Sequence, residues 1–158
     1  MSDIQNEQTI EATRQQTSKL FQRFLQALTQ SDMEIWLALW NDDGVYEFPY
    51  APQGYPQRVE GKAALREYVK DFPKHIQFFA FPEQRIHFTT DPSVLIAEVK
   101  SDARVVATGN PYNLIYVMIV ETRNGKISLV REYWELLKGL EAMGGLDNVK
   151  KTFNVSAS

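Results

Sequence analysis

The stretch Leu114-Ile-Tyr-Val-Met-Ile-Val-Glu-Thr-Arg-Asn-Gly-Lys-Ile-Ser-Leu-Val-Arg-Glu-Tyr-Trp134 decides the fold of this chain. It contains two runs rich in branched and aromatic residues, 114–122 and 126–134, on either side of Asn124-Gly125. An Asn-Gly pair between two such runs favours a tight hairpin turn. The stretch therefore predicts two long antiparallel strands joined as a β-hairpin.

Further strand patterns precede this hairpin, and helix patterns precede the strands. Branched and aromatic residues predict strands at 45–48, 76–81, 85–89, 94–100 and 104–108. Apolar residues at three- and four-residue spacing predict helices at 17–28, 35–40, 61–72 and 136–143. The fold class that follows is α+β, with a curved antiparallel sheet wrapped around N-terminal helices. Such a sheet leaves a cavity at its mouth, which is a natural site for a small apolar ligand.

The length of 158 residues fits one domain. We expect a flexible N-terminus over 1–10, the folded domain over 11–143 and a weakly patterned tail over 144–158. The N-terminus is polar, and the longest apolar run, 114–120, is far shorter than the roughly 20 residues of a membrane span. We therefore expect a cytoplasmic protein with no membrane partner.

Composition excludes several classes of function. There are 17 Lys and Arg against 20 Asp and Glu, a net charge of −3, which argues against nucleic-acid binding. The absence of cysteine excludes disulfides, thiol nucleophiles and Cys-ligated zinc. His75 and His87 have no ligand-like neighbours, and phosphate-loop and dinucleotide motifs are missing, so we expect neither a metal nor a cofactor.

Several segments in order carry a resemblance to a known superfamily: 20–28, 31–32, 37–43, 60–68, 108–112, 124–127 and 131–134. Over residues 12–143 the chain resembles the SnoaL-like and ketosteroid-isomerase-like proteins of the nuclear transport factor 2-like superfamily. The resemblance implies a cone-shaped, cystatin-like half-barrel with a hydrophobic pocket, usually in a homodimer. The superfamily contains isomerases, cyclases, epoxide hydrolases, dehydratases and non-catalytic binding proteins, so it does not imply one activity.

The classical ketosteroid-isomerase residues are absent by this alignment. That chemistry needs a carboxylate base together with a tyrosine and a protonated aspartic acid that donate to an oxyanion. The three positions fall on Phe24, Phe48 and Val117, none of which transfers a proton. We therefore do not expect isomerisation by that machinery.

The same alignment places Glu132 inside the cone. Side chains alternate along a strand, so Val130, Glu132 and Trp134 share one face while Arg131 points to the other. The segment 131–134 also resembles the phenazine biosynthesis A/B proteins, in which a glutamate at the Glu132 position serves acid/base chemistry. A carboxylic acid among aromatic rings is desolvated, which raises its pKa and suits it to proton transfer near neutral pH.

The lead hypothesis is a cofactor-free isomerase, cyclase or dehydratase that acts on an apolar or aromatic molecule, with Glu132 as the acid/base. We expect the pocket to be formed by Phe24, Leu28, Phe48, Tyr68, Val117, Val130 and Trp134. One alternative for Glu132 is a buried structural glutamate held by an arginine, histidine or tyrosine. The alternative functions are a non-catalytic small-molecule carrier or sensor, and a protein-interaction module, so enzymatic activity stays open at this point.

Overall fold

The computed structural model describes residues 2–145 and 147, and the predicted tail over 144–158 otherwise lies outside the described residues. The helices are α1 (Ser2–Thr29), α2 (Met33–Ala38), α3 (Lys62–Val69), α4 (Phe72–His75) and α5 (Leu136–Ala142). The strands are β1 (Trp40–Glu47), β2 (Arg58–Glu60), β3 (Ile76–Phe88), β4 (Val94–Val105), β5 (Ile115–Arg123) and β6 (Lys126–Trp134). Among the described residues, no helix has both the length and the apolar character needed to cross a membrane.

The six strands form one open sheet in the order β2-β1-β6-β5-β4-β3. The predicted hairpin is confirmed as β5 and β6, and its turn has positive φ at both Asn124 (54°) and Gly125 (75°). The α+β fold class is also confirmed, but the sheet is mixed rather than wholly antiparallel. The exception is β1, which runs parallel to β6 and is linked to it by pairs such as Tyr46 with Val130.

Several boundaries differ from the sequence predictions. The runs at 76–81 and 85–89 are one strand, β3, which bends at register shifts near Ala80, and the runs at 94–100 and 104–108 are likewise one strand, β4. The helix α1 begins at Ser2, so the boundary predicted between residues 10 and 11 falls inside a helix whose residues 2–10 are almost all exposed, and the flexibility of this segment stays a prediction. A polar segment forms such a helix because it continues the hydrogen bonding of a longer, packed helix.

An aromatic cluster joins the helices to the sheet and determines where the site lies. Phe24 of α1 and Trp36 of α2 have ring centroids 5.5 Å apart, and Trp36 lies 5.1 Å from Trp40 at the start of β1. The helix α2 begins where the side chain of Asp32 accepts a hydrogen bond from the backbone N–H of Ile35. These contacts fix the position of α2 over the inner face of the sheet. A space remains between α2 and the sheet.

Candidate functional site

A partly enclosed cavity lies between the inner face of the sheet and the five helices. Its volume of about 100 Å³ is large enough for more than one water molecule. Its lining is mostly aromatic and aliphatic: Leu28, Met33, Trp36, Tyr46, Phe48, Pro52, Tyr55, Tyr68, Val69, Phe72, Phe78, Phe81, Tyr112, Tyr116, Met118, Glu132, Trp134, Leu136, Gly139, Leu140 and Met143. Such an apolar cavity with few polar groups is typical of a small-molecule site.

Glu132 carries the one carboxylate among the described residues that line this cavity. It lies on β6 opposite Met118 of β5, and its Oε1 accepts a hydrogen bond of 2.7 Å from the Tyr46 hydroxyl. The neighbouring Arg131 points to the outer face of the sheet, where it donates to Glu47 at 2.9 Å. Within the described residues, Glu132 forms no ion pair with a cation.

Burial raises the pKa of Glu132 from 4.5 to about 7, although the hydrogen bond from Tyr46 acts in the opposite direction. Burial raises the pKa because an apolar surrounding solvates the ionised carboxylate poorly. The Tyr46 hydroxyl lowers the pKa because it stabilises that ionised form. At neutral pH, Glu132 is therefore divided between its acid and base forms, which suits a group that both accepts and returns a proton.

Five tyrosines supply most of the remaining polar atoms of the cavity wall: Tyr46, Tyr55, Tyr68, Tyr112 and Tyr116. Burial raises the pKa of all five above the ordinary value of 10, so they are neutral hydroxyl groups near pH 7. The charge on Glu132 contributes to the raised pKa of Tyr68 and of Tyr112. The hydroxyl groups of Tyr68 and Tyr112 therefore interact electrostatically with the Glu132 carboxylate.

The structure brings most of the predicted site residues together. Glu132, Leu28, Phe48, Tyr68 and Trp134 line the cavity. The ring centroid of Phe48 lies 5.3 Å from that of Tyr68 and 5.7 Å from that of Trp134. These rings form a continuous aromatic wall beside the carboxylate.

Phe24 and Val130 lie in the core behind the wall and not on the cavity surface, which corrects their assignment to the pocket. Phe24 is 1% exposed and packs behind Trp36 and Tyr46, both of which are closer to the open space. Val130 faces inward like Glu132 but is fully buried between Tyr46 and Val120 in the sheet.

Val117 lies on the outer face of the sheet, so its assignment to the pocket is wrong by one residue. It pairs with Tyr133, whereas the next residue, Met118, pairs with Glu132 and lines the cavity. A shift of one residue along a strand moves a side chain to the opposite face. Met118 has no ionisable side chain, so the β5 residue opposite Glu132 does not supply a second acid to the cavity, just as Val117 would not.

Sequence analysis missed the end of the cavity that α5 covers. Leu136, Leu140 and Met143 line it, together with Gly139, which is buried against Leu114 and the Tyr112 hydroxyl. Leu136, Leu140 and Met143 are four and then three positions apart, a spacing that puts them on one face of a helix. This spacing could have indicated that α5 faces the cavity. Tyr55 lies in an irregular loop, where no periodicity indicates its position.

The described residues bring together no set of three acidic or histidine side chains that could hold a metal ion.

Replacing Tyr46 by phenylalanine is expected to raise the pKa of Glu132 above its value of about 7. The change removes the hydroxyl that stabilises the carboxylate and leaves the ring stacking with Phe48 in place. Infrared titration of the carboxyl band measures the shift. Tyr133→Phe, on the outer face, is the matched control and should leave the pKa unchanged. An unchanged or lower pKa in Tyr46→Phe would show that the hydroxyl does not stabilise the ionised form.

Comparison with known proteins assigns the chain to a family. The model of the SnoaL-like domain matches residues 21–130. The chain is 42% identical to the uncharacterized protein YesE of Bacillus subtilis over 123 residues, which cover 78% of this chain and 84% of YesE. It is 34% identical over 127 residues to an uncharacterized PhzA/B-like protein of Pseudomonas aeruginosa, with 80% and 89% of the two chains covered.

A solved structure from Bacillus subtilis, named as a candidate isomerase, superposes with a TM-score of 0.82 at 39% identity. The match covers 85% of this chain and 96% of that one. Sequence and structure thus agree on the resemblance drawn from the segments between 20 and 134. The chain belongs to the SnoaL-like domain family.

Proposed function

We propose that the protein binds an apolar or aromatic carbonyl compound in its cavity and catalyses a cofactor-free proton transfer with Glu132 as the acid/base. Isomerisation, cyclisation and dehydration are the reaction types that such a transfer serves. The observation that carries the proposal is a carboxylate with a pKa of about 7 on the wall of an apolar cavity. Perturbed carboxylates without a cationic partner are typical of functional sites.

The proposed step uses groups that face the cavity. Ionised Glu132 removes a proton from the carbon next to the carbonyl group. The electron pair of that C–H bond forms a carbon–carbon double bond, while the π pair of the C=O bond moves onto the oxygen. Tyr68 and Tyr112 are the candidate donors to the resulting enolate oxygen, since neutral hydroxyls in a poorly hydrated cavity stabilise developing negative charge. Protonated Glu132 then returns the proton to the same or another carbon, while Trp134 and Tyr68 orient the ring.

Homodimerisation through the outer face of the sheet is part of the proposal. Ile115 is half exposed on this face, next to the half-buried apolar side chains of Ile96, Val117, Ile119 and Tyr133. A hydrogen-bonded contact between His87 and Glu98 and an ion pair between Arg131 and Glu47 border this apolar strip. An apolar centre with a charged rim is typical of an interface between subunits. A cytoplasmic location stays a prediction.

The proposal is tested with β-tetralone, a bicyclic aromatic ketone with acidic protons next to its carbonyl group. Quenching of tryptophan fluorescence measures binding, because Trp36 and Trp134 both line the cavity. Proton NMR in heavy water measures how fast those acidic protons exchange. Exchange above the buffer rate that depends on Glu132 supports catalysis. Binding without accelerated exchange would contradict catalysis and favour a carrier, and absence of binding would contradict uptake of an aromatic ketone.

A further inference from the structure

The described lining of the cavity has an uncompensated charge. Glu132 is its one acidic side chain, and no lysine, arginine or histidine accompanies it. The other polar side chains that could ionise are the tyrosines Tyr46, Tyr55, Tyr68, Tyr112 and Tyr116, which burial keeps neutral. The electrostatic preference of the cavity therefore depends on Glu132.

A carboxylate buried without a cation is costly, and a cation on a ligand removes that cost. The hydrogen bond from Tyr46 is made to Oε1 and leaves Glu132 with no ion pair among the described residues. A protonated amine brought into the cavity would supply the missing partner. A carboxylate ligand would instead place a second negative charge in the same poorly hydrated space.

The aromatic wall next to Glu132 also suits a cation. Tyr46 and Phe48 have ring centroids 4.4 Å apart, and Tyr68 and Trp134 each lie within 6 Å of Phe48. All four rings line the cavity. Faces of tyrosine, phenylalanine and tryptophan attract an ammonium group within about 6 Å of the ring centre. A carboxylate combined with several aromatic faces is a favourable environment for an organic amine.

We infer that the cavity selects ligands in which a protonated amine is attached to an aromatic body, with Glu132 as the ion partner, and that it excludes carboxylates. This inference rests on the proposed function in one respect, namely that an organic molecule enters the cavity. It is compatible with the proposed proton transfer, because a cationic group near a C–H bond makes that bond more acidic.

The experiment compares three molecules with the same ring and the same point of attachment: naphthylmethylamine, naphthalenemethanol and naphthoate. Their affinities are measured by tryptophan fluorescence and by calorimetry in mildly alkaline buffer, where Glu132 is ionised and the amine is still protonated. We expect the amine to bind at least about tenfold more tightly than the alcohol. Naphthoate should bind most weakly of the three.

Two variants assign the preference to its source. Glu132→Gln keeps the shape of the side chain but removes its charge, so the preference for the amine over the alcohol should fall to the smaller part that the aromatic rings supply. Glu121→Gln changes a glutamate on the outer face of β5 and should leave the preference of the wild type intact. A preference as large in Glu132→Gln as in the wild type would overturn the role of Glu132.

The outcomes separate this inference from the proposed function. An amine that binds no more tightly than the alcohol in the wild type overturns the inference, and the comparison needs no variant. If the alcohol binds well and the amine weakly, uptake of aromatic ligands stands and amine selection is wrong. If none of the three binds, both are contradicted.

Discussion

Replacing Glu132 by glutamine is expected to lower the catalysed exchange of β-tetralone by about 10²–10⁴-fold, the usual contribution of a general acid or base. Glutamine has nearly the shape of glutamate and still accepts a hydrogen bond from Tyr46. It has no exchangeable acid–base function near neutral pH. The affinity for the neutral ketone should therefore change less than about tenfold, so that the loss falls on the rate and not on binding.

The pH dependence strengthens this test. In the wild type the rate of proton removal should rise through pH 7, because ionised Glu132 is the form that accepts a proton. Glu121→Gln is the matched control, since it removes the same charge from the opposite face of the sheet and should keep both the rate and its pH profile. A Glu132→Gln protein that is folded and retains the wild-type rate would show that another group moves the proton.

The second large effect concerns stability, which Glu132 is expected to lower as the pH rises. Its pKa is 4.5 in an exposed chain and about 7 in the folded protein. Between these values the folded state binds more protons than the unfolded state, so the free energy of unfolding falls with increasing pH. The decrease amounts to about 3 to 4 kcal/mol once the pH is well above 7, because each pH unit between the two pKa values contributes about 1.4 kcal/mol.

Urea unfolding at a pH below 4.5 and at a pH above 7 measures this effect. Other groups titrate over the same range, so the relevant quantity is the difference between the wild type and Glu132→Gln. That difference should be small at low pH, where both side chains are neutral, and should favour the variant above pH 7. If the variant loses as much stability as the wild type, the carboxylate is not held in an unfavourable environment.

The sequence predicted the parts of the fold that local patterns determine. Asn124-Gly125 between two strand-forming runs identified the β5–β6 hairpin. Alternation along β6 put Glu132 and Arg131 on opposite faces, and the family resemblance indicated which face is the inner one, as the structure shows. The parallel pairing of β1 with β6 joins segments more than eighty residues apart, for example Tyr46 with Val130. Such a pairing depends on the packing of the whole sheet and leaves no local signal.

The errors at the site have a related cause. Val117 was placed by counting back from the β5–β6 turn, and the register next to that turn, continued without interruption, would pair it with Glu132. One extra residue on β6, between the pairs Thr122 with Ile127 and Glu121 with Leu129, brings Met118 opposite Glu132 instead. A bulge of this kind is invisible in the residue pattern and reverses which side chains face inward. Phe24 and Val130 were predicted to be buried, and they are. The type of residue does not show whether a buried apolar side chain lines a cavity or lies in the layer behind it. The hydrogen bond from Tyr46 to Glu132 likewise joins two strands and required the structure.

An infrared titration of Glu132 tests the central claim most directly. The carboxyl band is assigned as the one that disappears from the spectrum in Glu132→Gln, and its intensity is followed across the pH range in the wild type. A midpoint near pH 7 is the result that burial in the apolar cavity predicts. A midpoint at or below 4.5, the ordinary value for glutamate, would contradict both the desolvated carboxylate and the acid/base role built on it.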